Sequence, residues 1–221
     1  MNVKEAYKRF LLKVNKNDTN TKVVVGPAEF CLIYNEQSLR WLVEKIKSRN
    51  SLDDINDLEQ LLKHDVALKK VGKDNNHEDF TLPDDFFKYS SSFSLVQGSG
   101  CNVKVDHFLV HPKEKNSYWA DAMTRPSLEW EETFVVISDN QLQVFVDEFT
   151  NQFTYIDYWR NPAKIDMIGY IHPDGSLSSD VDPELSDQDV NEIISRCAIE
   201  SFRSYENPEA FQLAKDRIIT E

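Results

Sequence analysis

The spacing of apolar residues along this 221-residue chain changes twice, dividing it into a helical beginning, a β-rich middle and a helical end. Tyr7, Phe10, Leu11 and Val14 recur at intervals of three and four among lysines, which predicts a short amphipathic helix ending near Asn15. After a polar connector over residues 15–22, Gly26-Pro27 opens a second helix, because proline suits a first turn whose N–H groups lack intrahelical partners. Phe30, Ile33, Leu39, Leu42, Val43 and Ile46 carry that helix to about Arg49. Ser51-Leu52-Asp53-Asp54 has the form of a capping box, and Ile55, Leu58, Leu62 and Val66 behind it predict a third helix to about Lys70. The charged, turn-rich residues 72–79 close the helical part.

From Phe80 the pattern becomes one of alternating β-branched and aromatic residues. Val103 and Val105, residues 134–138, the set Leu142, Val144 and Val146, and residues 153–160 predict four to six antiparallel strands. Ser138-Asp139-Asn140-Gln141 between two apolar runs predicts a hairpin turn. His172-Pro173-Asp174-Gly175 marks a further turn, followed by an acidic, serine-rich loop over residues 176–183. Ser186-Asp187-Gln188-Asp189 caps a helix with Val190, Ile193, Ile194, Cys197, Phe202 and Tyr205 on its apolar face. Asn207-Pro208 breaks it, and Phe211, Ala214 and Ile218 begin a shorter last helix. The expected fold is α+β, a central antiparallel β sandwich or barrel-like sheet flanked by N-terminal helices and a long C-terminal helix. Its expected divisions are 1–79, 80–171 and 172–221 within one compact subunit.

Composition narrows the function classes. Hydrophobic residues make up 40% and aromatics 11%, with only 6 Gly and 8 Pro, so the chain can fill a core and is not low-complexity. The net charge of −13 opposes non-specific binding to nucleic acid or anionic membranes and directs attention to protein partners. Residues 1–22 hold six Lys/Arg against two Asp/Glu, and residues 172–221 hold four against twelve. Such unlike ends suit head-to-tail contact between copies. The three cysteines, Cys31, Cys101 and Cys197, lie far apart without a C-x-x-C pair, so neither a disulfide framework nor a zinc site is expected and a reducing compartment is. The N-terminus lacks the apolar run of a signal peptide, and no stretch reaches the roughly 18 apolar residues of a membrane span.

Candidate chemistry is sparse. His107 and His111 flank what reads as strand, which separates them by about 14 Å, too far to share one metal. The acidic run Asp180-Val181-Asp182-Pro183-Glu184 lacks the spacing of a calcium loop and reads as a solvated approach to a capped helix. Glu129, Glu131 and Glu132 around Trp130 offer the carboxylates a glycosidase needs, and a strand would put Glu129 and Glu131 on one face. No second acidic cluster or Gly-lined cleft accompanies them, and there is no G-x-S-x-G, P-loop or G-x-G-x-x-G. The expectation is a protein without catalytic residues, cofactor or metal. What stands out is the aromatic content of residues 86–160, which fills a β core, forms subunit contacts, or does both.

The order of segments resembles a known family. Leu82-Pro83-Asp84-Asp85-Phe86-Phe87-Lys88-Tyr89, then Pro126-Ser127-Leu128-Glu129-Trp130-Glu131-Glu132-Thr133, then Tyr155 through Tyr158-Trp159-Arg160-Asn161-Pro162-Ala163-Lys164-Ile165 resemble the ring proteins of the head-to-tail connector in crAss-like and related short-tailed bacteriophages. Leu185-Ser186-Asp187 to Ile193-Ile194, with Ser204-Tyr205-Glu206-Asn207-Pro208, is similar to the helix that closes those subunits. The resemblance covers most of residues 25–218. It departs at Trp159-Arg160-Asn161-Pro162, where a smaller residue before the arginine and an acidic one after it are expected.

The resemblance implies a virion protein, made in the bacterial cytoplasm, that forms a ring of about twelve copies beneath the portal protein and beside other connector or tail proteins. DNA passes through its channel without specific binding, and there is no membrane partner. Trp130, Tyr158, Trp159 and Arg160 are the expected structural or interface anchors. A monomeric protein-binding adaptor and a hydrolase using Glu129 or Glu131 are the competing classes.

Overall fold

A computed structural model describes residues 1–15, 24–48, 58–97 and 102–204. The fold is α+β, and the chain forms two compact units: Met1–Gln60 with Pro162–Glu221, and Leu61–Asn161. The expected boundaries at 79 and 171 thus move to 61 and 161. The capping box at residues 51–54, the connector residues 16–22, Cys101, Tyr205 and the last helix lie outside the described residues.

The first unit is helical. Helix α1 (Val3–Asn15) buries Val3, Ala6, Phe10 and Val14, and α2 (Pro27–Lys47) buries Phe30, Cys31, Tyr34, Trp41, Leu42 and Ile46. Both pack on the helix Asp187–Ser204, whose Val190, Ile193, Ile194, Cys197 and Phe202 are buried. Its N-terminus is capped as the sequence predicts. Asp189 N donates to Ser186 Oγ at 3.3 Å, and Ser186 Oγ donates to the Asp189 carboxylate at 2.6 Å. Residues 162–186 run back over this unit, and the Asn35 carboxamide pins them by bonding both backbone groups of Ile165, at 3.1 and 2.8 Å.

The second unit is a curled eight-stranded sheet. Its strands are β1 (Leu62–Ala67), β2 (Lys69–Lys73), β3 (His77–Thr81), β4 (Phe86–Gln97), β5 (Asn102–Leu109), β6 (Glu132–Ser138), β7 (Gln141–Phe145) and β8 (Asn151–Arg160). Their order is β1-β8-β4-β5-β6-β7-β3-β2. From residue 77 to 160 the described residues form six strands, β3 to β8, within the four to six expected from Phe80 onward, but they are not all antiparallel, because β5 and β6 pair in parallel. A parallel pair needs a long crossover, and residues 110–131 supply it with the short helix α3 (Lys115–Ala120); the helix of the first unit, Asp187–Ser204, is α4.

The predicted third helix does not continue to Lys70. Residues 62–73, expected to be largely helical, form the two edge strands, separated only by Leu68. Because β1 pairs with β8 and β2 with β3, this one bent segment joins both edges of the sheet, and Leu68 N bonds Thr154 O at 2.8 Å at the bend. Long-range pairing, together with Val66 and Leu68 packing on the enclosed core, outweighs the local helical spacing. That core holds Phe80, Leu82, Val135, Leu142, Val144, Ile156 and Tyr158. The β6–β7 turn is the predicted hairpin: Asp139 (φ 50°) and Asn140 (φ 61°) both adopt the left-handed conformation of a type I′ turn.

Candidate functional site

The four anchor residues do not form one cluster. On β8, alternation turns Thr154, Ile156 and Tyr158 to the enclosed side and Trp159 to the opposite face, yet Tyr158 (1% exposed) and Trp159 (2%) are both buried. Tyr158 Oη donates to Asp85 Oδ1 at 2.6 Å, and Lys63 Nζ lies 3.3 Å from the other carboxylate oxygen. Burial, then the Asp85 carboxylate, push the Tyr158 hydroxyl well above its usual range. Arg160 is half-buried and donates to Asn161 O at 3.3 Å. Tyr158 is therefore a packing residue of the sheet core, and Trp159 is buried on the other face.

Trp130 is different: it stands 70% exposed at the tip of a tight loop. Ser127 and Glu132 exchange two backbone hydrogen bonds, of 3.1 and 3.3 Å, and Glu131 takes a left-handed φ of 54°. Glu131 O also accepts from Asp106 N of β5 at 2.8 Å, which fixes the loop to the sheet. Glu129 and Glu131 thus lie on a turn and not, as expected, on one face of a strand. The indole forms one wall of a recess whose others are Phe108, Met123, Thr124, Arg125 and Glu132. Met123 is 83% exposed. Sequence reasoning missed it because an isolated methionine in a turn-rich stretch has no periodicity to mark it.

A second apolar surface lies on the helical unit. Leu32 of α2 borders a groove with Ile171 and Pro173, and Ile171 bridges to Leu177 across the predicted turn at 172–175. Leu32, Ile171 and Leu177 are all largely exposed. The Asp166 carboxylate organises this hairpin, accepting from Tyr170 Oη, from Met167 N at 2.9 Å, from Ser179 N at 2.8 Å and from His172 Nε2 at 3.1 Å. Burial opposes its ionisation, but these donors together hold the carboxyl down at about 2. Cys31, beside the groove, is pushed up to about 11 by burial, so its thiol is a poor nucleophile at neutral pH.

One polar chain runs inside the sheet. Tyr89 Oη lies 2.9 Å from Ser92 Oγ, which lies 2.8 Å from His107 Nδ1. His107 Nε2 is buried without a hydrogen-bond partner, although the residue as a whole is only half-buried. Burial lowers this imidazole to about 3, against a weak opposing pull from Asp106. His111 is exposed beyond the end of β5. Among the described residues no three His, Cys, Asp or Glu side chains gather as a metal-binding group, and no helix is long and apolar enough to cross a membrane.

The unlike charges of the two chain ends meet inside one chain. Val3 N donates to Asp182 at 2.8 Å, Lys4 pairs with Asp180 at 2.5 Å, Arg9 bonds Asn191 at 2.9 Å and Lys13 bonds Ser195 at 2.5 Å. Most of the basic face of α1 is thus engaged with residues 180–195 of its own unit, which narrows what remains for contact between copies. No family model matches the sequence, and no curated protein is significantly similar to it.

Proposed function

We propose that this chain is a structural subunit that assembles with copies of itself into a ring of a bacteriophage head-to-tail connector, beneath the portal protein and around the DNA channel. The segment resemblance names the assembly. The observation that carries the reading is the exposed Trp130, held away from the sheet by a backbone-locked loop and adjoined by the exposed Met123. A tryptophan fixed in this way is a preorganised contact residue: it brings a large apolar area to an interface at little cost in conformational entropy. The Leu32–Ile171–Leu177 surface offers a second contact area, and a ring subunit needs two. No catalytic role is assigned to Glu129 or Glu131.

Mass spectrometry of purified virions tests the assignment. The chain is expected among the virion proteins in multiple copies, with a ring beneath the portal visible by electron microscopy at the density of its fold. Its absence from virions, or turnover of a glycoside by the pure chain that is lost in Glu131→Gln, overturns the proposal.

A further inference from the structure

Three exposed carboxylates, Glu129, Glu131 and Glu132, surround Trp130. Arg125 on the wall of the recess does not offset them, because its guanidinium is paired with both oxygens of Asp147, at 2.8 and 3.0 Å, and lies 5.0 Å over the Trp119 ring. The surface that fits this site is apolar at its centre and basic beside it. Helix α1 carries such a surface. Lys4, Lys8 and Leu12, at intervals of four, lie along one exposed stripe. Leu12 is 69% exposed. Lys4 is held by Asp180, but Lys8 makes no ion pair among the described residues.

We infer that Leu12 and Lys8 of one copy dock on the Trp130 recess of a neighbouring copy. Leu12 enters between Phe108, Met123 and Trp130, and Lys8, one turn away on the helix, meets Glu131 and Glu132. Because the two surfaces differ, the contact is heterologous, the kind that propagates from copy to copy and closes into a ring. The inference rests on the ring reading and adds which surfaces meet. It also locates the part of the basic N-terminal helix that the described residues of its own chain leave uncovered.

The test is sedimentation of the full chain over a concentration series, with Trp130→Ala, Glu131→Lys and Lys8→Glu. All three positions are exposed, so thermal melts matching the wild type are the folding control. Trp130→Ala is expected to weaken self-association about 30-fold or more, as an anchor residue does. Each charge reversal alone is expected to weaken it about 10-fold and to reduce its sensitivity to salt. An equimolar mixture of Glu131→Lys and Lys8→Glu chains regains association, because each reversed surface then meets the other reversed surface in alternating copies. A mixture no tighter than its components, an unchanged Trp130→Ala, or a wild-type chain that stays monomeric at the highest concentration reached overturns the contact. Virion content is read separately, so loss of this contact leaves the ring assignment standing, whereas absence from virions removes the assignment itself.

Discussion

His107 shows how one side chain couples this fold to pH. An ordinary histidine titrates near 6.5, whereas burial holds this one neutral down to about 3. Above pH 6.5 the folded and unfolded chains are both neutral at this site and the shift contributes nothing. As pH falls from 6.5 towards 3, the unfolded chain binds a proton that the folded chain does not, so stability declines by up to about 1.4 kcal/mol per pH unit. Urea titrations at pH 7, 6, 5 and 4 should therefore show a shallower decline in His107→Gln than in the wild type; parallel curves would refute the assignment. The window lies mostly above that of Asp166, whose stabilising contribution is present above the unfolded carboxylate value near 3.9 and is lost as pH falls towards 2. At Tyr158, replacement by Phe removes the bond to Asp85 and should cost about 1–2 kcal/mol by thermal melting, with no change in fold. Sequence reading singled out Tyr158 and dismissed His107 as a metal ligand, but only the register of β4, β5 and β8 shows that both side chains contact partners within the sheet.

At the scale of elements, the chain obeys local rules wherever the signal is complete within a few residues. Ser186 caps α4 through the reciprocal bonds with Asp189, so Ser186→Ala should lower stability by about 1 kcal/mol, read from the melting temperature. The Asp139-Asn140 turn and the Pro27 start of α2 were legible for the same reason. The bent segment 62–73 was not. Ile55, Leu58, Leu62 and Val66 have helical spacing, but β1 and β2 satisfy their backbone groups on β8 and β3, strands distant in sequence. Without that segment both edges of the sheet would expose unpaired N–H and C=O groups.

At the scale of the whole molecule, the chain forms two compact units and passes between them twice, at residues 60–61 and 161–162. Truncating the sheet core with Leu142→Ala should cost about 2–5 kcal/mol. In hydrogen exchange, the resulting acceleration should appear across residues 61–161 before it reaches α4; equal acceleration in both units would mean that they open together. The N-terminal and C-terminal segments meet because the helical unit is built from both of them. This is why the opposed charges of the two chain ends are engaged within one copy, and why Lys8 and Leu12, not the basic segment as a whole, are assigned to the neighbouring copy.

The sequence by itself determined the α+β class, helices α1, α2 and α4, the Ser186 cap and the 139–140 turn. Each depends on spacing or turn chemistry within a few residues. Only the tertiary structure decided that 62–73 joins the sheet edges, that β5 and β6 run parallel, that Tyr158 and Trp159 are buried while Trp130 is not, and where the terminal charges go. These are outcomes of pairing between residues far apart in the chain, where burial and backbone hydrogen bonding outweigh the local preferences a sequence displays.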